Sequence, residues 1–313
     1  MKKIVSFALV LVLVLAAFAF VACENKENND NKDNTPAEKT YNLAIGVVVT
    51  PTLASNKVSE TVATIVTDAD NKIVLCKVDC VEYSAQYDNA GALVTTAPTS
   101  KVVLGDHYMM PAGSWAKQVS ELEKFVVGKT QAEVAASIAN GYAADADLKA
   151  SCSFNIADLI KAIDNAFKSA HKTSFTSTAT SFTAGLSVVG AVKDSSTDDA
   201  KNATYTATFA SAVLADGKVV ASILDATEAQ LVGITEEGAA SISFAGTKRE
   251  QGDAYAMTSG AWYAQADAYA KSAVGKSASD IATLATEGVA GCTMPYSTFD
   301  FKAGLESAVK AAK

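Results

Sequence analysis

The sequence predicts an α+β protein: two tandem copies of a small antiparallel-sheet module, each with helices packed against its sheet. Three observations lead there. An internal repeat runs through the chain at a nearly constant offset. The early part of each repeat holds β-like apolar runs joined by Asp-Asn or Asp-Gly turns, and the later part carries helical spacing between recognisable caps.

The repeat is read directly. Residues 101–129, KVVLGDHYMMPAGSWAKQVSELEKFVVGK, align without a gap to 248–276, KREQGDAYAMTSGAWYAQADAYAKSAVGK, 147 residues later. Lys101/Lys248, Gly105/Gly252, Asp106/Asp253, Tyr108/Tyr255, Met110/Met257, Trp115/Trp262, Gln118/Gln265 and Lys124/Lys271 are identical pairs, and Gly128-Lys129 repeats as Gly275-Lys276. Upstream, ADNKIVLCKVDC (69–80) matches ADGKVVASILDA (215–226); downstream, ASCSF (150–154) matches AGCTM (290–294). The copies therefore occupy 41–172 and 181–313, and the Ser/Thr-rich stretch HKTSFTSTATS (171–181) joins them.

Each copy reads in the same order. Tyr41–Thr50 and Leu186–Val192 are expected first strands, followed by Thr61–Thr67 and Thr204–Val213. Turns at DADNK and ADGK lead into Ile73–Val81 and Val219–Leu224, because Asn and Gly accept the left-handed backbone that tight hairpins need. After a variable loop, Ser114–Val127 and Ala261–Val274 have helical spacing, with Ala116, Val119, Leu122, Phe125 and Val126 marking the first. Gly128 and Gly275 suit the position just past a helix end. Thr130-x-x-Glu133 and Ser277-x-x-Asp280 are capping boxes for a second, shorter helix. A last helix is expected at Ala157–Ala170 and Phe301–Ala312, with Leu159, Ile160, Ile163 and Phe167 on one face.

The N-terminus carries an export signal. Met1-Lys2-Lys3 precedes an apolar run from Ile4 to Ala22, the layout of a secretory signal. Phe20-Val21-Ala22-Cys23 has the form of a lipobox, so residues 1–22 are read as a signal peptide, with Cys23 as the lipid-bearing mature N-terminus. Residues 24–40, ENKENNDNKDNTPAEKT, offer nothing to a core and are expected to be a disordered tether. The protein is thus placed on the outer face of the cell membrane, held by lipid. Cleavage removes Lys2 and Lys3 and moves the formal charge from −8 to −10. So acidic a chain is a poor partner for nucleic acid or anionic lipid.

Composition excludes several kinds of chemistry. Arg249 is the one arginine, so bidentate capture of phosphate or carboxylate has little to draw on. Cys76 and Cys80, four apart in a strand, would stand ~13 Å apart, too far for a disulfide. Cys76, Cys80, Cys152 and Cys292 are expected to be buried free thiols. No zinc spacing, P-loop, dinucleotide fingerprint or nucleophile elbow is present. His107 aligns with Ala254, so a histidine mechanism could belong to one copy only.

Two segments shared by both copies are candidates for a site. Gly-Asp-x-Tyr-x-Met (105–110 and 252–257), followed by Trp115 and Trp262, is either a turn with core contacts beneath it or an aromatic wall for a planar ligand. The second segment precedes the last helix: Asp147-Leu-Lys-Ala-Ser-Cys-Ser153 in one copy and Glu287-Gly-Val-Ala-Gly-Cys-Thr293 in the other. Each has an acid, then small residues, then a hydroxyl side chain. Such a segment lets a phosphate approach the backbone near a helix N-terminus, or simply leads from a strand edge into a helix cap.

The order of strand, Asp-Gly hairpin, strand, helix and acid-x-x-Ser-Gly-Ala-Thr before a final helix resembles the FMN-binding domain of extracytoplasmic flavin electron-transfer proteins. That resemblance implies a cofactor, FMN, joined through its phosphate to a hydroxyl by a flavin transferase. By position, Ser153 and Thr293 would be the attachment residues, with Asp147, Glu287 and Gly291 as motif residues and Trp115 and Trp262 beside the ring. Ser151 stands where the family has Gly, and Cys152 and Cys292 stand where it has Ala. The GD-x-Y-x-M…W and G-K-[ST]-x-x-[DE] segments are similar to repeated clostridial-type surface lipoproteins of unassigned activity, consistent with a Gram-positive surface. Two functions follow as expectations: a tethered electron carrier relaying to a membrane redox partner, or a non-catalytic surface protein that binds a ligand without flavin.

Overall fold

The structure, a computed structural model, describes residues 37–95, 98–285, 288–294 and 300–312. The expected signal peptide (1–22), Cys23, the tether up to residue 36, Glu287 and Pro295 lie outside the described residues, whereas Lys39 and Thr40, expected in the tether, already belong to the first strand. The architecture is α+β with antiparallel sheets.

In the first half, β1 (Lys39–Thr52), β2 (Lys57–Thr67) and β3 (Ile73–Ser84) run antiparallel in that order. The β2–β3 hairpin turns where the sequence placed it: Asn71 is left-handed (φ 55), and Asp68 Oδ1 accepts the N–H groups of Asp70 and Lys72 at 3.0 and 2.9 Å. Helices follow at α1 (Lys101–Leu104), α2 (Trp115–Val126), α3 (Gln131–Ala135), α4 (Ala146–Ser151) and α5 (Ala157–Lys168). The capping box of Thr130 and Glu133 opens α3 as expected.

The joining stretch contains an unexpected element. Residues Thr173–Ser177 form β4, which pairs with the outer edge of β1 and completes a sheet of order β4-β1-β2-β3. Thr173, Phe175 and Ser177 are half-buried while Ser174 and Thr176 are exposed. Phe175 anchors the strand by stacking on Tyr41, with ring centroids 5.5 Å apart. A polar edge strand of this kind looks like a linker because only one face needs apolar residues.

The second half contains β5 (Thr183–Asp194), β6 (Ala203–Ala215), β7 (Lys218–Thr235) and β8 (Gly238–Phe244), paired in that order. Asp216 and Gly217, both at positive φ (49° and 74°), make the tight β6–β7 turn. The helices here are α6 (Trp262–Lys271), α7 (Ala278–Ile281) and α8 (Phe301–Ala311). Strand β7 outruns the expected Val219–Leu224 and folds back into β8. Its continuation begins DATEAQ (225–230), where Asp, Ala and Glu have weak strand preference. Burial of Ala229, Leu231 and Ile234 decides the outcome instead.

Three apolar layers hold these elements. One face of the first sheet (Ala44, Ala63, Ile65, Cys76, Val78) packs under α2 and α5. One face of the second (Ala210, Ala212, Leu224, Ala226) packs under α6 and α8. The remaining faces meet each other: Leu43, Ile45, Val47, Val58 and Val62 from the first sheet interleave with Tyr205, Phe209, Ile223 and Leu231 from the second. The layers therefore run helices, sheet, sheet, helices. Cys76, Cys80 and Cys152 are free and buried, and Cys292 is buried.

The helices lie so close to the sheets that one residue on each first strand must be glycine. A Cβ at Gly46 would overlap Ala162 O and Ala166 N of α5, and one at Gly185 would overlap Ala308 O of α8. Neither glycine has a positive φ, so space rather than backbone conformation requires it. Gly185→Ala is expected to lower stability by about 3 kcal/mol, the upper range for overpacking. A chemical-denaturation curve measures this; an unchanged midpoint would contradict the close approach.

One polar group interrupts the layer between the sheets. Glu60 on β2 is fully buried, and its Oε2 accepts a hydrogen bond from Thr227 Oγ1 of β7 at 2.6 Å. Its Oε1 has no partner among the described residues. Burial pushes the Glu60 carboxyl from 4.5 to about 7, only partly opposed by Thr227. The folded state thus holds the proton more tightly than the unfolded chain does. The stability this contributes is fully present below pH 4.5 and is lost as pH rises through 7. The shift corresponds to about 3 kcal/mol. Glu60→Gln is therefore expected to raise the melting temperature at pH 8 and leave it nearly unchanged at pH 4.5. Equal effects at both pH values would contradict this.

Candidate functional site

The two hydroxyl residues singled out by sequence sit in matching environments. Ser153 donates from Oγ to Gln118 Oε1 at 3.1 Å, and its backbone N–H reaches the same oxygen at 2.9 Å. Thr293 makes the same pair of contacts to Gln265 Oε1, at 2.9 Å from Oγ1 and 3.0 Å from the backbone. Each glutamine is buried on the helix that its tryptophan opens. Its amide nitrogen donates to the loop carbonyl just ahead of that helix, Gly113 O at 3.0 Å or Gly260 O at 3.3 Å. One side-chain amide therefore ties the loop before α2 or α6 to the segment before the closing helix.

Ser153 and Thr293 are exposed residues, with Cys152 and Cys292 buried beside them. Among the described residues, neither hydroxyl stands at the first turn of a helix. Helix α5 starts at Ala157, whose N–H is accepted by Asn155 Oδ1 at 2.9 Å, and α8 starts at Phe301. Asp147 is exposed on α4, whose N-terminus is capped by Asp145. Gly291 is exposed at φ 82. Glu287 lies outside the described residues.

The Gly-Asp-x-Tyr-x-Met segments and their tryptophans belong to the helix–sheet cores. Trp115 is 3% exposed and Trp262 is fully buried. Ahead of each segment a lysine is buried over an aromatic ring. Lys101 Nζ lies 4.7 Å from the Tyr108 ring centre and hydrogen-bonds Glu82 Oε1 at 2.8 Å. Lys248 Nζ lies 3.6 Å from the Tyr255 ring centre, with Glu228 Oε2 also at 3.6 Å.

A buried aspartate fastens each lysine segment to its sheet. Asp79 Oδ1 accepts from the N–H groups of Cys80 and Val102 at 2.7 and 3.1 Å; Asp225 Oδ1 accepts from Ala226 and Arg249 at 2.8 and 3.1 Å. Burial raises both carboxyls to about 6, against the opposing pull of these donors and, at Asp225, of Arg249. Sequence comparison of the two halves identified the Lys and Gln pairs but not their roles. The signal was their identity across the repeat; the missing information was which strand each would face.

Four cavities stand out. The first, about 220 Å³, lies where α5 ends against Asp225, Thr247, Arg249 and Glu250. Its arginine is already engaged, with Nε on Leu224 O, Nη1 on His171 O and Nη2 on Asp267. A second, about 460 Å³, is lined by Asn56, Gln86, Tyr87 and Thr235, and a third, about 310 Å³, by Asp79, Glu123, Leu186 and Lys310. The fourth, about 290 Å³, opens beside Lys248 and Tyr255. Ser153, Thr293, Trp115 and Trp262 line none of the four.

Among the described residues, no three His, Cys, Asp or Glu side chains gather as metal ligands, and no helix is long and apolar enough to cross a membrane. No family model, curated protein or solved structure matches the chain.

The amide bridge gives a ranked expectation. Gln118→Ala removes the acceptor for the Ser153 N–H and hydroxyl and the donor to Gly113 O, and should cost about 1–3 kcal/mol. Ser153→Ala removes one hydrogen bond at an exposed residue and should cost less than 1 kcal/mol. Urea denaturation of the two variants checks the order; the reverse ranking would show that the glutamine is not the centre of the bridge.

Proposed function

We propose that the chain is a lipid-anchored extracytoplasmic protein, built from two copies of one module, that binds a ligand without transforming it. The observation that carries this reading is the pair of matched bridges, Gln118–Ser153 and Gln265–Thr293. They place the most suggestive repeated side chains in equivalent structural contacts. The other repeated polar residue, Lys101 or Lys248, is likewise buried over its tyrosine. These contacts assemble no nucleophile beside a base. The lipobox ending at Cys23 and the polar tether behind it support anchoring on the outer face of the membrane. Lipid must supply the attachment, since an acidic chain gains little from anionic headgroups. Duplication would give the anchored protein two binding modules and the possibility of avidity.

A second reading is favoured by the exposure of both Ser153 and Thr293: an electron carrier with FMN joined to these hydroxyls, loaded by a flavin transferase and serving a membrane redox partner. The exposed hydroxyls suit attachment; their engagement by Gln118 and Gln265 favours binding without flavin.

One experiment separates the readings. The protein is co-expressed with a flavin transferase and weighed intact. The binding reading expects an unmodified mass and a colourless product. A gain of one or two FMN masses, lost on Ser153→Ala and Thr293→Ala, would overturn it. For the anchor, Cys23→Ser is expected to move the protein from the membrane fraction to the medium; retention of the variant in membranes would contradict lipid attachment.

A further inference from the structure

The fourth cavity contains a lysine whose hydrogen-bonding capacity is not used among the described residues. Lys248 has a side chain only 5% exposed, yet an ammonium carries three N–H donors. Its nearest anionic partner, Glu228 Oε2, lies at 3.6 Å, too far for a hydrogen bond. The Tyr255 ring covers one side of the ammonium. What remains opens into a cavity of about 290 Å³.

Lys101, at the equivalent place in the first half, is an internal comparison. It has a similar ring beneath it, but its ammonium is closed by Glu82 at 2.8 Å. The fold therefore does not require the lysine to be left open; the second half leaves it so. Thr206 and Thr208, two residues apart on β6 and hence on one face of the sheet, also line the cavity and can offer hydroxyl donors. Lys193 adds a second cation. The acids present are Glu228, which is 53% exposed and free to turn outward, and Asp300, an exposed residue.

We propose that this cavity binds the oxyanion of a small organic acid or phosphate compound, with Lys248 as its charged ligand and Thr206 and Thr208 as neutral donors. A charge-assisted hydrogen bond to a largely desolvated ammonium is stronger than one in water. The volume admits a ligand of a few heavy atoms and lies just below the range of drug-sized sites, about 300–1,000 Å³. This inference rests on the binding reading, but uses a site separate from Ser153 and Thr293. The flavin mass experiment and the one below therefore fail independently.

The test is a calorimetric titration of the mature lipoprotein in detergent at low salt, with inorganic phosphate and with succinate as probes. Saturable binding is expected for at least one; phosphate alone would assign a phosphate compound and succinate alone a carboxylic acid. Lys248→Met should weaken binding at least tenfold, Lys248→Arg should preserve it within a few-fold, and Lys101→Met should leave it unchanged. Glu228→Gln, which removes a competing carboxylate, should tighten it, and this arm stands even if Lys248→Met fails to fold. No saturable heat with either probe, or equal affinity in a folded Lys248→Met protein, would overturn the proposal.

Discussion

Each sheet carries helices on one face only, so the opposite faces would meet water if the sheets were separate. Those faces present Leu43, Ile45, Val47 and Val62 on one side and Tyr205, Phe209, Ile223 and Leu231 on the other. Burying one such side chain contributes about 1.5–3 kcal/mol. Eight of them amount to at most about 12–24 kcal/mol. That is comparable with the whole net stability of a typical domain, about 5–15 kcal/mol. Neither half can forgo the other, and every site described above sits on a scaffold that this contact holds in place.

Within that layer Glu60 is a defect of a definite kind. By strand register its equivalent in the second half is Ala207, since Glu60 faces Val81 as Ala207 faces Thr227, which shows that the fold does not need a carboxyl there. A single hydroxyl donor leaves half of the carboxyl unsatisfied. The cost is smaller than the surrounding apolar gain, so the layer survives, but with stability that depends on proton concentration near neutrality. Other buried acids are treated differently. Asp79 and Asp225 each receive two backbone N–H groups and in return fix the lysine segments to the sheets.

Much of the fold was legible because local rules and the repeat agree. Strands β1 to β3 are apolar runs bounded by turns, the Asn and Gly turns carry their own mechanism, and the capping boxes at Thr130 and Ser277 form as read. Two strands were hidden for opposite reasons. Thr173–Ser177 is too polar to announce itself, and β7 just beyond Leu224 passes through Asp225, Ala226, Glu228 and Ala229, which have little strand preference. Sheet-on-sheet packing was not legible, although β6 hints at it: Tyr205, Ala207, Phe209 and Ala210, Ala212 are buried on opposite faces. The candidate site was legible only as a set of repeated identities. Gln118 and Gln265 could be paired across the halves, but their hold on Ser153 and Thr293 spans 35 and 28 residues and depends on tertiary placement. The openness of Lys248 depends on a side-chain distance that no spacing encodes.

The central claim is that the inter-sheet layer makes the two halves one cooperative unit. Differential scanning calorimetry of the protein at pH 5, where Glu60 is protonated, tests it directly. The account expects a single transition whose calorimetric and van't Hoff enthalpies agree. Two resolved transitions, or a calorimetric enthalpy near twice the van't Hoff value, would mean that each half unfolds alone and would contradict it.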